Sequence, residues 1–454
     1  VNLILVDSTA FSQQSRTLFF MHNVPQTSYV NPAVQPACKY YIGVPLLSSV
    51  YLNASSTGFA YNDFVELNPQ LLLRGLHGVD YLSAEAHVNL LAFGYKHKDF
   101  YFSFNIAEKI DAKAFFPESL VDLAVDGNEQ FIGRSIATRG IGANLTHLRE
   151  YSLGISQQVS PYYSWGIKGK LLFGKANITT RPRPFIFTTN ENSYDLFAEW
   201  GFQVNSSVPL NVNKLPNGQV DGIALGSIDP VSYLLNGSNY GFALDYGFIY
   251  ESNPITWSAS ILDLGAIYWQ SDARRFTNSG SFAFSGVNVN DILNTNDFLI
   301  TLEDSLQNQL RVREAPNKYM SILPVKLNVG ATYPILPKIN AGLLLRTEFY
   351  PRRPVPSLTL SLNTQRTQWL FASVNYSIMN GSYANVGIGL GLRIGSLGVH
   401  MLSDNVLAFI KPQTTHTANF RFGLDFVFGC SSKHGKLKYN GPGCFWDNHK
   451  QKGK

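Results

Sequence analysis

The 454-residue chain carries 36 Lys and Arg against 31 Asp and Glu, with charged residues at 15% and aromatics at 13%. An apolar share of 45% excludes a disordered chain, and a net charge of +5, spread thinly, excludes a nucleic-acid binder. Three cysteines exclude a disulfide-built scaffold, and no apolar run is long enough for a membrane-crossing helix. A β-barrel stays open, because its strands alternate and average to near-neutral hydropathy.

Residues 1–12 read as the end of a signal peptide, with an apolar stretch at 1–6 and small residues, Ala10 and Ser12, before a cleavage point. A short buried strand is the alternative there. Residues 13–39 follow as an N-terminal plug or periplasmic segment. Its prolines favour a turn-rich course over helix, and Asn31, Pro32 and Pro36 are its candidate plug residues.

From residue 40 onward the dominant signal is alternation with period two. In 339–349 one face is Ile339, Ala341, Leu343, Leu345 and Phe349, and the other is Asn340, Gly342, Leu344, Arg346 and Glu348. Similar patterns predict strands at 40–53, 82–95, 100–113, 148–159, 163–176, 182–189, 194–205, 239–251, 255–270, 325–333, 339–349, 356–364, 368–379, 386–394, 397–411 and 420–428. Most are long enough for a tilted membrane crossing of roughly 9–11 residues, beyond the 5–6 usual in soluble sheets. Aromatics such as Tyr162, Trp165, Tyr250 and Trp269 gather near strand ends, where an interfacial girdle needs them.

The gaps at 54–81, 114–147, 206–238 and 271–321 are long, whereas those at 96–99, 160–162, 190–193, 252–254, 334–338, 365–367 and 395–396 are short. Counting every segment puts the long gaps on one side and the short ones on the other, as in a membrane barrel. That sorting requires the weak strand at 182–189. Two loop stretches, 117–125 and 296–309, have helical patterns suited to capping the barrel or to meeting a partner. The expected organisation is one all-β barrel over 40–429 and a basic periplasmic tail over 430–454.

Several stretches resemble an uncharacterised Bacteroidota outer-membrane family placed among FadL-like and PorV-like barrels. They are 20–36 (FMHNVPQTSYVNPAVQP), 41–45 (YIGVP), 259–269 (ASILDLGAIYW), 403–410 (SDNVLAFI) and 419–430 (NFRFGLDFVFGC). The resemblance implies a single transmembrane antiparallel β-barrel in the bacterial cell outer membrane, with long extracellular loops. It implies about 14 strands, where alternation alone allows up to 16, and an N-terminal segment packed in or below the barrel. In FadL-like transporters an N-terminal stretch gates a hydrophobic ligand, a role that analogy alone would carry here.

The inward-facing charges are the lumen-lining candidates: Lys168, Lys170, Glu199, Asp245, Arg346, Glu348, Arg393, Arg421 and Asp425. They either set the selectivity of a wet pore or pair with one another and the segment to hold it in place. Inward glycines at 387, 389 and 391 suit a close-packed plug, a lateral opening or simple strand curvature. No metal spacing, phosphate loop or dinucleotide fingerprint is present, so no cofactor, metal or catalytic residue is assigned. His87 beside Glu85 is the nearest approach to a catalytic group. Cys430 and Cys444 are one candidate disulfide, and Cys38 with a tail cysteine is the other. Phe428, followed by the tail, departs from the common C-terminal aromatic insertion signal.

The first functional expectation is a FadL-like channel or transporter for small or apolar solutes, and not an enzyme. The alternative is a non-transporting barrel subunit of an outer-membrane secretion or assembly complex, PorV-like in kind. The expected partners are outer-membrane lipid, a small-molecule solute and other outer-membrane or periplasmic proteins. A soluble exported multi-strand protein is the third reading.

Overall fold

The computed structural model describes residues 15–57, 60, 79–119, 122, 129–138, 141–182, 185–193, 195–284, 312–336, 338–349, 354–364, 369–379 and 382–430. The signal-peptide stretch at 1–12, the loop helix at 296–309, part of that at 117–125, the tail beyond Cys430 and Cys444 lie outside the described residues.

The strands form a closed antiparallel barrel of 14. In chain order they are β1 (Tyr40–Gly43 and Val50–Ser56), β2 (Val79–His97), β3 (Phe100–Pro117), β4 (Gly142–Ser160) and β5 (Tyr163–Pro182). There follow β6 (Asn239–Ser252), β7 (Ile255–Trp269), β8 (Tyr319–Ile322 and Val325–Leu336), β9 (Ile339–Phe349) and β10 (Pro354–Thr364). The last four are β11 (Leu370–Met379), β12 (Ser382–Ile394), β13 (Leu397–Ser403) and β14 (Thr417–Phe428). Each strand pairs with its neighbours in sequence, and the ring closes where β14 pairs with β1, Tyr40 facing Phe428 and Val50 facing Phe422.

Burial along the strands is inverted relative to a soluble protein. On β10 Val355, Ser357, Thr359, Ser361 and Asn363 are buried, while Leu358, Leu360 and Leu362 are exposed. On β6 Tyr240, Phe242, Leu244 and Tyr246 face outward and Asn239 and Asp245 inward. An outer surface of Leu, Phe and Tyr around a small-polar interior is the pattern of a barrel whose solvent is lipid. No helix among the described residues is long and apolar enough to cross a membrane.

Two predicted crossings are corrected. Residues 182–189 and 194–205 do not join the ring. The end of β5 (residues 177–182) runs past β6 and pairs with Leu196–Ser207. That strand pairs in turn with Phe185–Thr189 and Ala273–Phe284, making a sheet that continues the barrel wall at its long-loop end. A surface strand and a crossing strand share period two, so alternation does not separate them. Both extra strands fall within the β5–β6 connection, so removing the pair leaves the sorting of loops intact. Tyr40 pairs with Tyr95, close to the 98–99 turn, so β1 begins and β14 ends at the short-turn end.

Candidate functional site

The lumen holds the N-terminal segment, residues 15–38. A short helix, Arg16–Phe20, and a 3-10 turn, Pro25–Tyr29, fold it back on itself. Pro25 opens that turn, and its lack of an N–H costs nothing at this position. Leu18, Phe19, Phe20, Met21, Val24 and Val30 form a small apolar core with Leu344 of β9 and Leu402 of β13. A barrel interior lined largely with polar and charged side chains, with an apolar cluster of its own at Leu172, Ile267 and Trp269, thus acquires a second apolar cluster from the segment.

Polar contacts seat this core on the wall. Lys168 donates to the Ser28 carbonyl at 3.0 Å and lies 5.0 Å from the centre of the Tyr29 ring. Arg421 donates to Ser15 Oγ at 2.8 Å, and its guanidinium sits 4.5 Å from the Tyr51 ring centre. Arg393 reaches the Asn23 carbonyl at 3.3 Å. Gln26 donates to the Ser48 carbonyl at 2.8 Å and to Asp425 at 3.3 Å. Ser260 and Asn328 both donate to the Val30 carbonyl, and Arg346 holds Asn328 from behind at 2.8 Å. Asn31 donates to the Phe248 carbonyl at 3.4 Å while its own side-chain oxygen accepts from Ala33 N at 3.0 Å. Pro32 and Pro36 are buried, and the Pro32 carbonyl lies so close to Gly166 that no Cβ fits there. Gly389 likewise leaves room for Met21 and Thr17, whereas Gly387 lies against Asn375 of the wall and Gly391 against Phe371 and, less closely, Val24.

A second group of charges pairs across neighbouring strands. Lys170 meets Asp263 at 2.6 Å, Asp245 at 2.7 Å and Glu150 at 3.8 Å. Lys109 pairs with Glu150 at 2.6 Å and Lys326 with Asp263 at 2.8 Å. His87 contacts Asp111 at 3.0 Å, and Glu85 lies 3.8 Å from Lys113. Glu348, buried on β9, is within electrostatic range of Lys326. The inward surface from β2 to β9 therefore carries interlocked ions, with Lys170 bridging β5, β6 and β7.

Of the predicted lumen charges, Glu199 is corrected. It is exposed on the surface strand Leu196–Ser207, on the same face as the exposed Phe197, and joins none of these clusters. The Cys430–Cys444 pairing is also corrected: Cys430 is bonded to Cys38, which ties the foot of the segment to the end of β14. Both cysteines sit at the short-turn end, packed with Tyr41, Ala92 and Val427, and this proximity follows from β1 closing on β14.

Sequence reasoning missed Asp263, Arg16, Asp404, Lys109, Glu150 and Lys326. Asp263 is hidden by a β-bulge: Leu244 faces Leu264 and Tyr246 faces Ile261, so Leu262 and Asp263 together oppose Asp245. The extra residue takes a positive φ of 60° and turns inward, its N–H donating to Asp245 at 2.8 Å. Lys109, Glu150 and Lys326 lie on alternating strands and were within reach of the same face-counting that found Lys168 and Lys170.

A closed ring of strands with lipid-facing outer residues and a folded segment within it defines a membrane-spanning β-barrel with an occupied lumen. The chain belongs to the family of unknown function DUF5723, whose model matches residues 32–404. No curated protein matches it. Among solved structures it is similar to the toluene transporter TbuX of Ralstonia pickettii, at 8% identity and a TM-score of 0.44, over 93% of this chain and 99% of that one. It is also similar to a FadL homologue of Pseudomonas aeruginosa, at 9% identity and a TM-score of 0.39, over 93% and 100% of the two chains. The translocator domain of the autotransporter NalP from Neisseria meningitidis matches at 8% identity and 0.32, over 91% and 100%. Likeness at this level carries no inference about cargo.

Proposed function

We propose that this protein is a bacterial outer-membrane barrel that passes small, predominantly apolar solutes, with residues 15–38 as its internal gate. The observation that carries the reading is that the ring closes without the segment. β14 pairs with β1 directly, and every ring strand has its two neighbours among the other ring strands. The segment is therefore a separate piece within a complete wall, held by side-chain contacts and by one covalent tether at its foot. Its apolar core is buried in the lumen, so an apolar solute reaches it when the segment moves, and the wall adds a buried apolar cluster at Leu172, Ile267 and Trp269. Displacing that core opens a path lined by polar side chains.

Flux into proteoliposomes tests this reading. A small aromatic hydrocarbon and a neutral sugar are compared in full-length protein and in a form lacking residues 15–36. The expected result is faster hydrocarbon entry through the full-length protein than through protein-free vesicles, and entry of both solutes after deletion. No flux in either form, with folded barrel shown by heat-modifiable migration, overturns it.

A second reading, a non-transporting subunit of an outer-membrane assembly, draws on the exposed apolar residues of the β5–β6 connection. Ile223 and Leu225 on the hairpin of Leu210–Lys214 with Val220–Leu225, and Val231 and Leu235 on helix Pro230–Leu235, are all strongly exposed. Such side chains are suited to a protein partner. Co-purification of a stoichiometric partner that is lost on Leu225→Ser with Leu235→Ser favours this reading.

A further inference from the structure

At the inner end of the segment Arg16 is fully buried, and its Nε, Nη1 and Nη2 have no hydrogen-bond partner among the described residues. The adjacent carboxylate is already committed. Asp404 Oδ1 accepts from Thr17 N at 2.7 Å and from Thr17 Oγ1 at 2.6 Å, and Oδ2 accepts from the backbone N–H of Arg16 at 3.3 Å. Asp404 foremost, then Arg346, Tyr51 and Tyr81, lie within electrostatic range of the Arg16 guanidinium, but none of them hydrogen-bonds its donors. Tyr51 stacks with Arg421, which bonds Ser15, the residue before Arg16. Tyr51 Oη and Arg346 Nε also have no partner among the described residues. Two neighbouring carboxylates face lysines: Glu85 faces Lys113, and Glu348 is in range of Lys326. A desolvated guanidinium is costly unless acceptors meet its donors. Its planar fork matches the paired oxygens of a carboxylate or phosphate, and a phenol supplies a further donor.

We propose that Arg16, Arg346 and Tyr51 form a binding site for a small oxyanion, a carboxylate or phosphate group, that pins the N-terminal segment inside the barrel. The anion is the acceptor these donors share. It links the segment through Arg16 to β9 through Arg346 and to β1 through Tyr51. The site stands whether or not the barrel conducts.

The test is thermal unfolding of purified full-length protein in detergent, titrated at constant ionic strength with inorganic phosphate and, separately, with butyrate, against chloride. The expected result is a saturable rise in Tm with at least one probe. A response to phosphate alone assigns a phosphate site, to butyrate alone a carboxylate site, and to both a general oxyanion site. The response is lost in Arg16→Gln, at least tenfold weaker in Arg16→Lys and weaker in Tyr51→Phe. It is unchanged in Lys411→Gln, which removes an exposed cation elsewhere. If Arg16→Gln yields no folded barrel by heat-modifiable migration, Arg16→Lys and Tyr51→Phe carry the comparison. No saturable response above chloride in the wild type, or equal responses in Arg16→Lys and Tyr51→Phe, overturns the proposal.

Discussion

Cys38 and Cys430 are joined across 392 residues of sequence, so the foot of the luminal segment is fastened to the residue two past the closing strand. The bond secures the segment at the short-turn end, while its other end rests on Asp404 and Arg421 through hydrogen bonds alone. Removing the tether acts first on the segment, because β1 and β14 stay paired through the ladder. Cys38→Ser is expected to leave a heat-modifiable barrel and to expose residues 15–37 to protease. A segment as resistant as in the wild type would show that side-chain contacts alone hold it.

Lys170 stands between three carboxylates, and removing it leaves buried Asp245 without its ion-pair partner, while Asp263 keeps Lys326 and Glu150 keeps Lys109. Breaking a buried pair from one side costs about 3–5 kcal/mol. Lys170→Met is therefore expected to lower the denaturation midpoint markedly, and adding Asp245→Asn is expected to restore much of it. The double-mutant cycle in urea unfolding checks this. Simple additivity of the two changes would show that Lys170 and Asp245 do not act as a unit.

The backbone of Pro32 lies against Gly166, and Met21 and Thr17 lie against Gly389. Gly166→Val and Gly389→Val put side chains where the segment sits, at an overpacking cost of about 1–3 kcal/mol. The strands themselves tolerate Val, so the expected result is a folded barrel with its segment displaced. Solvent labelling of a cysteine placed at Leu18 checks it, with labelling fast in the variants and slow in the parent.

Lipid as the outer solvent makes a directional prediction. Leu360→Arg on β10 places a charge on the apolar face and is expected to cost about 2–4 kcal/mol if it lies near the midplane. Leu225→Arg on the surface hairpin is expected to cost little, since both residues are exposed but only Leu360 is on the barrel wall. Folding yield into lipid vesicles distinguishes them. Equal tolerance of both changes would mean that the apolar belt does not face lipid.

Much of the barrel was legible because alternation is a local property. The faces read for Ile339–Phe349 are those observed, with Arg346 and Glu348 buried and Leu343 and Leu345 exposed. What was illegible depended on pairing. Glu199 lies on a strand that alternates as a crossing strand does, and only its partners, Phe185–Thr189 and Ala273–Phe284, place it above the ring. Asp263 was hidden for the opposite reason: one extra residue in β7 shifts the register, so counting by two assigns it to lipid. The seating of the segment was out of reach as well. Lys168 meeting Ser28, or Arg421 meeting Ser15, joins residues far apart in sequence, which periodicity does not address.

If residues 15–38 occlude the lumen of a ring that closes without them, removing them opens it, and single-channel conductance in a planar bilayer reads this out. Full-length protein is expected to show rare or small openings. A form lacking residues 15–36, which keeps Cys38 and its bond, is expected to show large, steady ones. Equal conductance in the two forms, or silence from a folded barrel without the segment, would contradict the account.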